Sequence, residues 1–197
     1  MAKAICFTGF SASGKTTLAK QLAKKLEFPF FSIGNTEFEI SRTLGYNSIQ
    51  ERYDVEGIDT YAKLIPYFIE SIKEKCLDGI VIESIYDEEL LGEIIKEFRP
   101  ENVTLIRIGC RRRNRLLRYV NRQNVSREQA KKELYRRDAE KRFLGLNSVL
   151  EHATLSYRND NGNPNFSLFL ETLQYSHITS SYKSIVCSPD SEVMFTL

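Results

Sequence analysis

The chain has 197 residues, 42% of them hydrophobic and 27% charged, with a formal net charge of +2. That composition suits one α/β domain with a core of its own, with room for a small appendage. No apolar run approaches the ~18 residues that cross a bilayer. The N-terminal MAKAICFTGF meets Gly9 too soon to read as a secretory signal, so the expectation is a cytoplasmic protein with no membrane partner. Cys6, Cys76, Cys110 and Cys187 form no C-x-x-C pair and have no histidine nearby, which argues against a zinc site or a disulfide framework. Cys6 and Cys110 fall in apolar runs and are expected in the core. His152 and His177 stand alone.

Residues 2–8 (AKAICFT) read as a strand that ends at Gly9, and Leu18, Leu22 and Leu26 at i, i+4 and i+8 predict the helix that follows. Residues 28–33 (FPFFSI) are a second short strand. Gly34 and Asn35 open the next helix, with Asn35 as its N-cap. A long helix is expected over 59–75, with Leu64, Tyr67, Phe68 and Ile72 on one face, broken by Asp78-Gly79. Residues 79–82 (GIVI) are a buried strand ending at Glu83, and 88–98 an amphipathic helix closed by Pro100. Residues 103–108 (VTLIRI) are a fourth strand ending in Gly109. Two charged helices follow, over 111–122 and 126–142, divided by Asn124; Ser126 and Gln129 fit a capping box. A fifth strand over 153–157, a turn over 159–164 (NDNGNP) and a helix over 165–173 complete the pattern. The Ser/Thr-rich stretch 176–197 is compatible with a hairpin, a dimerisation arm or a loose tail. Strands alternating with helices imply a five-stranded parallel sheet with helices on both faces.

Charge is unevenly placed. Residues 111–142 hold 13 Lys/Arg against four Asp/Glu, a net of +9, which leaves −7 for the rest of the chain. Such a block suits phosphate or nucleic acid.

Residues 9–16 read GFSASGKT and match G-x-x-x-x-G-K-[ST] at every fixed position. Glycines let successive backbone N–H groups turn inward onto phosphate oxygens, and the helix that follows adds its positive end. Lys15 then reaches the β- and γ-phosphates and the Thr16 hydroxyl ligates Mg²⁺. The candidate nucleotide-binding residues are Gly9, Phe10, Ser11, Ala12, Ser13, Gly14, Lys15, Thr16 and Thr17, and the expected cofactors are ATP and Mg²⁺. Glu83, at the end of an apolar strand, is the candidate second carboxylate: it holds Mg²⁺ through water or takes a proton from an attacking hydroxyl.

With these motifs in place, the sequence resembles the P-loop kinases of nucleotides and similar small molecules: adenylate and cytidylate kinases, dephospho-coenzyme A kinase and archaeal kinase-like relatives. The resemblance covers about residues 3–173 and implies a three-layer P-loop NTPase fold. It also implies a kinase domain over 1–175, with acceptor-binding helices over 35–76, a helical lid over 111–142 and a C-terminal extension over 176–197. Where these kinases carry S-x-G-D, the chain has Ser32-Ile33-Gly34-Asn35; where they carry D-G-x-R, it has Glu83-Ser84-Ile85-Tyr86. The acceptor residues so implied are Gly34, Asn35, Phe38, Arg42 and Tyr86. Phe38 and Tyr86 stand where an acceptor-phosphate arginine is usual, and aromatic replacements suit an acceptor with less charge and more apolar surface.

Arg111, Arg115, Arg118 and Arg122 match the lid arginines. Arg115, Arg118 and Arg122 are expected on the transferring phosphoryl group, together with Lys15 and Glu83, and Arg111 over the donor base. Asp138 is expected to orient Arg137 or Arg142, and the loop from Asn159 to Gly162 to flank the base. The function implied is an ATP- and Mg²⁺-dependent phosphotransferase acting on a small nucleotide-like or nucleoside-like acceptor, as a monomer or homodimer. Nucleic-acid ends or modified bases as acceptor, and a non-kinase NTPase or nucleotide-driven switch, are the alternatives.

Overall fold

The computed structural model of the chain describes residues 2–160 and 164–175. Five strands form one parallel sheet: β1 (Lys3–Thr8), β2 (Phe30–Ser32), β3 (Gly79–Glu83), β4 (Val103–Gly109) and β5 (Leu155–Arg158), in the spatial order β2-β3-β1-β4-β5. Nine α-helices are described: α1 (Lys15–Leu26), α2 (Ile33–Thr43), α3 (Ile49–Glu56), α4 (Ile65–Lys75), α5 (Glu88–Phe98), α6 (Arg112–Gln123), α7 (Arg127–Phe143), α8 (Leu146–Glu151) and α9 (Phe166–Tyr175).

Strand alternation sorts the core into two layers. Ala4 and Cys6 of β1 and Ile80 and Ile82 of β3 face α4, α5 and α8; Ile5, Phe7 and Val81 face α1 and α9. Each fully buried side chain such as Phe68 or Leu18 adds roughly 1.5–3 kcal/mol of hydrophobic stabilisation. Cys6 is buried, which pushes its thiol up to about 12. Cys110, expected in the core, instead is half-buried beyond the end of β4, with a guanidinium nitrogen of Arg118 3.4 Å from its sulfur.

Local chemistry explains where the elements differ from expectation. Strand β2 runs straight into α2, so Ser32 rather than Asn35 is the N-cap: its extended backbone lets the hydroxyl accept from the Asn35 N–H at 3.4 Å. The long helix expected over 59–75 is split. Residues Ile58–Leu64 form a 3-10 helix, and α4 begins at Ile65 because Pro66, which lacks an N–H, is tolerated in a first turn and not in a helix interior. Helices α3 and α8 had no place in the sequence pattern. The capping box of Ser126 and Gln129 is present at the start of α7. The 176–197 extension, and residues 161–163 of the expected turn, lie outside the described residues.

The chain leaves β1 toward α1 on one face of the sheet and leaves β3 toward α5 on the other. A crevice therefore opens at the carboxyl ends of these adjacent strands, where α/β sheets bind ligands.

Candidate functional site

The loop between β1 and α1 is built for close backbone approach. Gly9 has φ +139°, and a Cβ there would sit 2.5 Å from the Ile108 carbonyl oxygen; Gly14 has φ +92° and is pressed against the Asn159 side chain. Ala12 (φ 59°) and Ser84 (φ 73°) adopt left-handed backbone without being glycine, a strain of order 1–3 kcal/mol each that surrounding structure must hold. The consecutive N–H groups of Ser84 and Ile85 do so after β3 by both donating to the Phe7 carbonyl at 3.1 Å.

Parallel register sets Glu83 beside Phe7 and Ser32. Its carboxylate, 2% exposed, accepts from Thr16 Oγ1 (2.9 Å), Ser32 Oγ (3.0 Å) and Ser84 Oγ (2.8 Å), and pairs with Lys15 Nζ at 3.3 Å. Burial alone raises the pKa of such a carboxyl. Burial is the largest single influence, but the Lys15 ammonium, the Ser84 and Thr16 hydroxyls and Lys141 together outweigh it and hold the Glu83 carboxyl below its ordinary value. The oxygen-only set of Glu83, Thr16 and Ser32 is of the hard-donor kind that Mg²⁺ takes together with phosphate and water. Ser13 Oγ, buried in the loop without a hydrogen-bond partner, is a further polar atom there left for a ligand to satisfy.

A cavity of about 560 Å³ runs from the loop to the lid. Its walls include Lys15, Thr16 and Glu83 at one end and Asn35, Phe38 and Tyr86 further along. Gly34 also lines it; a Cβ there would meet only Ser84 Oγ, at 3.8 Å. Arg42, expected at the acceptor, is exposed and off the cavity.

The buried acid on this side is Glu37. Tyr86 donates to Glu37 Oε2 at 2.7 Å, Tyr53 donates to Oε1, and Arg52 lies 3.8 Å away. Burial raises the Glu37 carboxyl pKa, although both phenols and Arg52 oppose the shift. Arg52 is itself only 1% exposed, near Ser41 and Thr60. None of Glu37, Arg52 and Tyr53 was singled out from sequence. The available signal was weak: Ile33, Glu37 and Ser41 share the buried face of α2, where polar residues break the apolar periodicity that would have revealed it.

The lid arginines are used differently from expectation. Arg115, 6% exposed, makes a two-pronged bond to Asp138 (3.0 and 2.8 Å) and donates to the Ser11 carbonyl at 3.1 Å. Asp138 therefore orients Arg115, not Arg137 or Arg142. Arg118 donates to the carbonyls of Ser13 (2.9 Å) and Asn159 (3.0 Å). Both guanidiniums grip the backbone of the loop instead of standing open for phosphate. Arg122 does lie on the cavity wall, its guanidinium 5.5 Å from the Tyr119 ring centroid. Arg136 is tied to Glu133 and Glu140, and Arg137 to Glu133; the Arg136 hydrogen bonds pull the Glu133 carboxyl down to about 2.

Arg111 pairs with Asp160 at 3.2 Å and does not line the cavity. Asn159 is 1% exposed and donates its amide to the Ser13 carbonyl at 2.8 Å, so it braces the loop from below. Phe10 also packs outside the cavity, under the guanidiniums of Arg115 (5.1 Å) and Arg142 (4.9 Å). Lys141, unremarked in the sequence, reaches the cavity wall from α7.

With this geometry in hand, comparison with known proteins gives the family. The family model of the AAA domain matches residues 8–136, which include the loop, Glu83, and Arg115 and Arg118 of the lid. The chain belongs to the AAA domain family. Among curated relatives, the ATP-dependent zinc metalloprotease FtsH of Helicobacter felis is 27% identical over 120 residues, 58% of this chain and 19% of that protein. Shikimate kinase of Caldicellulosiruptor bescii is 30% identical over 105 residues, 53% of each chain. The chain thus spans about half the length, or less, of these relatives.

Among solved structures, this AAA domain protein is similar to shikimate kinase from Acinetobacter baumannii in complex with shikimate (TM-score 0.56, 18% identity, 88% of this chain and 92% of that one). It is also similar to shikimate kinase from Bacteroides thetaiotaomicron (TM-score 0.57, 15% identity, 87% and 95%). The likeness to P-loop kinases expected from the sequence is borne out, and the five-stranded parallel fold with it. Among the described residues no helix is long and apolar enough to cross a membrane.

Proposed function

We propose that the protein is an ATP- and Mg²⁺-dependent phosphotransferase acting on a small acceptor. The observation that carries this reading is the buried Lys15–Glu83 pair at 3.3 Å, joined by the Thr16 and Ser32 hydroxyls, at the loop end of a cavity of about 560 Å³. That volume exceeds what an inorganic ion fills and falls within the range of small-molecule pockets. Shikimate kinase, named among the relatives and the structural neighbours, supports a small-molecule acceptor.

In this reading the loop amides, Lys15 and the N-terminal end of α1 bind the donor phosphates. Mg²⁺, held by Thr16 and through water by Glu83, would neutralise charge on the phosphate oxygens. Glu83 is ionised and within reach of hydroxyl donors, so it can receive the acceptor's proton. Arg115 and Arg118 keep the loop in its binding shape by fixing the carbonyls of Ser11 and Ser13, which leaves Arg122 at the cavity wall together with Arg136 and Arg137, the latter two held by Glu133. The acceptor lies among Asn35, Phe38, Tyr53 and Tyr86, beneath the Gly34 backbone. The protein's contribution is positioning and charge stabilisation, and the seated lid excludes water that would otherwise compete as acceptor.

A second reading, an NTPase without an acceptor, is favoured by the AAA domain match and by the FtsH relative. Nucleic-acid ends as acceptor are less favoured, because Arg115 and Arg118 are turned onto the loop carbonyls and Arg111 onto Asp160. One experiment separates these. ADP release is measured with Mg·ATP and a panel of nucleosides, nucleotides, small hydroxy acids and short oligonucleotides, with Lys15→Ala as the blank. Stimulation by one small acceptor, lost in the blank, is the expected result. Hydrolysis that no acceptor changes would favour the second reading, and stimulation by oligonucleotides alone would favour the third.

A further inference from the structure

The transfer site holds two lysines around one carboxylate. Lys15 is paired with Glu83. Lys141 approaches the same cavity from the lid, its Nζ 5.2 Å from the centroid of the Tyr86 ring. The charged groups that face it are Lys15 from α1, Glu83 from the end of β3, Asp138 from its own helix and Glu37 from α2. Glu83 and Asp138, the two carboxylates that most attract it, are already engaged by Lys15 and Arg115.

Its position is not accidental to a mobile side chain. Asp138 is fixed to Arg115, and Arg115 to the Ser11 carbonyl of the loop. Lys141 lies three residues after Asp138 and therefore on the same face of α7. The register of α7 against the loop thus aims Lys141 at the place where Lys15 ends. Two lysines around one carboxylate leave amine donors that a polyphosphate would engage.

We propose that Lys141 is a second phosphate-binding lysine, which meets the γ-phosphate of a bound nucleoside triphosphate from the lid side while Lys15 holds it from the loop side. The inference rests on the nucleotide-binding reading above and adds to it a residue and a discrimination: a triphosphate is gripped by both lysines, a diphosphate by Lys15 alone. Desolvation and the Lys15 charge keep the Lys141 amine well below the ordinary lysine value, and a triphosphate beside it would oppose that shift.

The test compares the dissociation constants of Mg·ATP and Mg·ADP by calorimetry for the unaltered protein, Lys141→Met and Lys141→Arg. Loss of one charged hydrogen bond predicts that Lys141→Met weakens ATP about tenfold or more and leaves ADP nearly unchanged, while Lys141→Arg largely restores ATP binding. Equal loss for both nucleotides, or no loss for either, overturns the proposal. Removing a desolvated amine from beside Lys15 relieves repulsion, so the Met variant is expected to fold; should it not, Lys141→Gln carries the same comparison.

If the unaltered protein binds neither nucleotide, the nucleotide-binding reading falls as well, a result unlike the loss of ATP discrimination alone.

Discussion

Glu83 illustrates how a single side chain is held ionised in a place that burial makes unfavourable. Three hydroxyls and the Lys15 ammonium supply what water no longer does. Removing one partner of a buried pair while leaving the other costs on the order of 3–5 kcal/mol, and Glu83→Gln is expected to approach that loss in urea unfolding at neutral pH. The pH dependence follows from the direction of the shift. A carboxyl held below its ordinary value of 4.5 contributes stability that is present above that pH and is lost as pH falls through the lowered value. The stability of the unaltered protein should therefore decline faster with acid than that of Glu83→Gln, and matched denaturation curves between pH 3 and 7 check it. A variant curve as steep as the original would show that Glu83 is not the titrating group.

At the scale of elements, the lid and the loop are coupled through one chain of contacts: α7 to α6 by Asp138 and Arg115, and α6 to the loop by Arg115 and Ser11. The apolar contacts that help join the two lid helices are small, Tyr119, Ala130 and Leu134 being the buried members. The polar pair is consequently expected to be the main determinant of lid register. Asp138→Leu leaves a buried guanidinium unmatched and should destabilise by about 3–5 kcal/mol, whereas the double change Arg115→Met with Asp138→Leu should recover most of that loss. Chemical denaturation of the two single variants and the double variant gives the coupling directly; additive losses would deny it. The capping box was readable because its two residues are three apart in sequence. The Arg115–Asp138 pair was not, because 23 residues separate its members and Arg136, Arg137 and Arg142 all stand nearer to Asp138 along the chain.

For the whole molecule, stability rests on the two apolar layers against the sheet. Phe68 is fully buried between α4 and the sheet, with its ring 5.8 Å from Tyr61. Phe68→Ala should cost about 3–5 kcal/mol and lower the melting temperature by roughly 10 °C for a domain of this size, measured by calorimetry. A loss below about 1 kcal/mol would mean that the layer collapses around the gap. The uneven charge also reads differently in the folded molecule. The net +9 of residues 111–142 already counts the block's own acids; beyond those, Arg111 is paired with Asp160 and Arg115 and Arg118 are turned onto the carbonyls of the loop, so part of the excess faces the protein itself.

The sheet, the loop and Glu83 were legible in the sequence because each depends on local pattern: short apolar runs, glycines at fixed offsets, a carboxylate at a strand end. The tertiary structure alone decided which arginines face inward, that Asn159 braces the loop, and that Glu37, Tyr53 and Lys141 gather at the cavity with Arg52 beside Glu37. Those choices depend on contacts between segments far apart in the chain, and helix α3, which carries Arg52 and Tyr53, shows only a faint amphipathic pattern. Where burial is bought by polar partners instead of apolar side chains, periodicity is silent, and only the assembled fold reveals which charges meet.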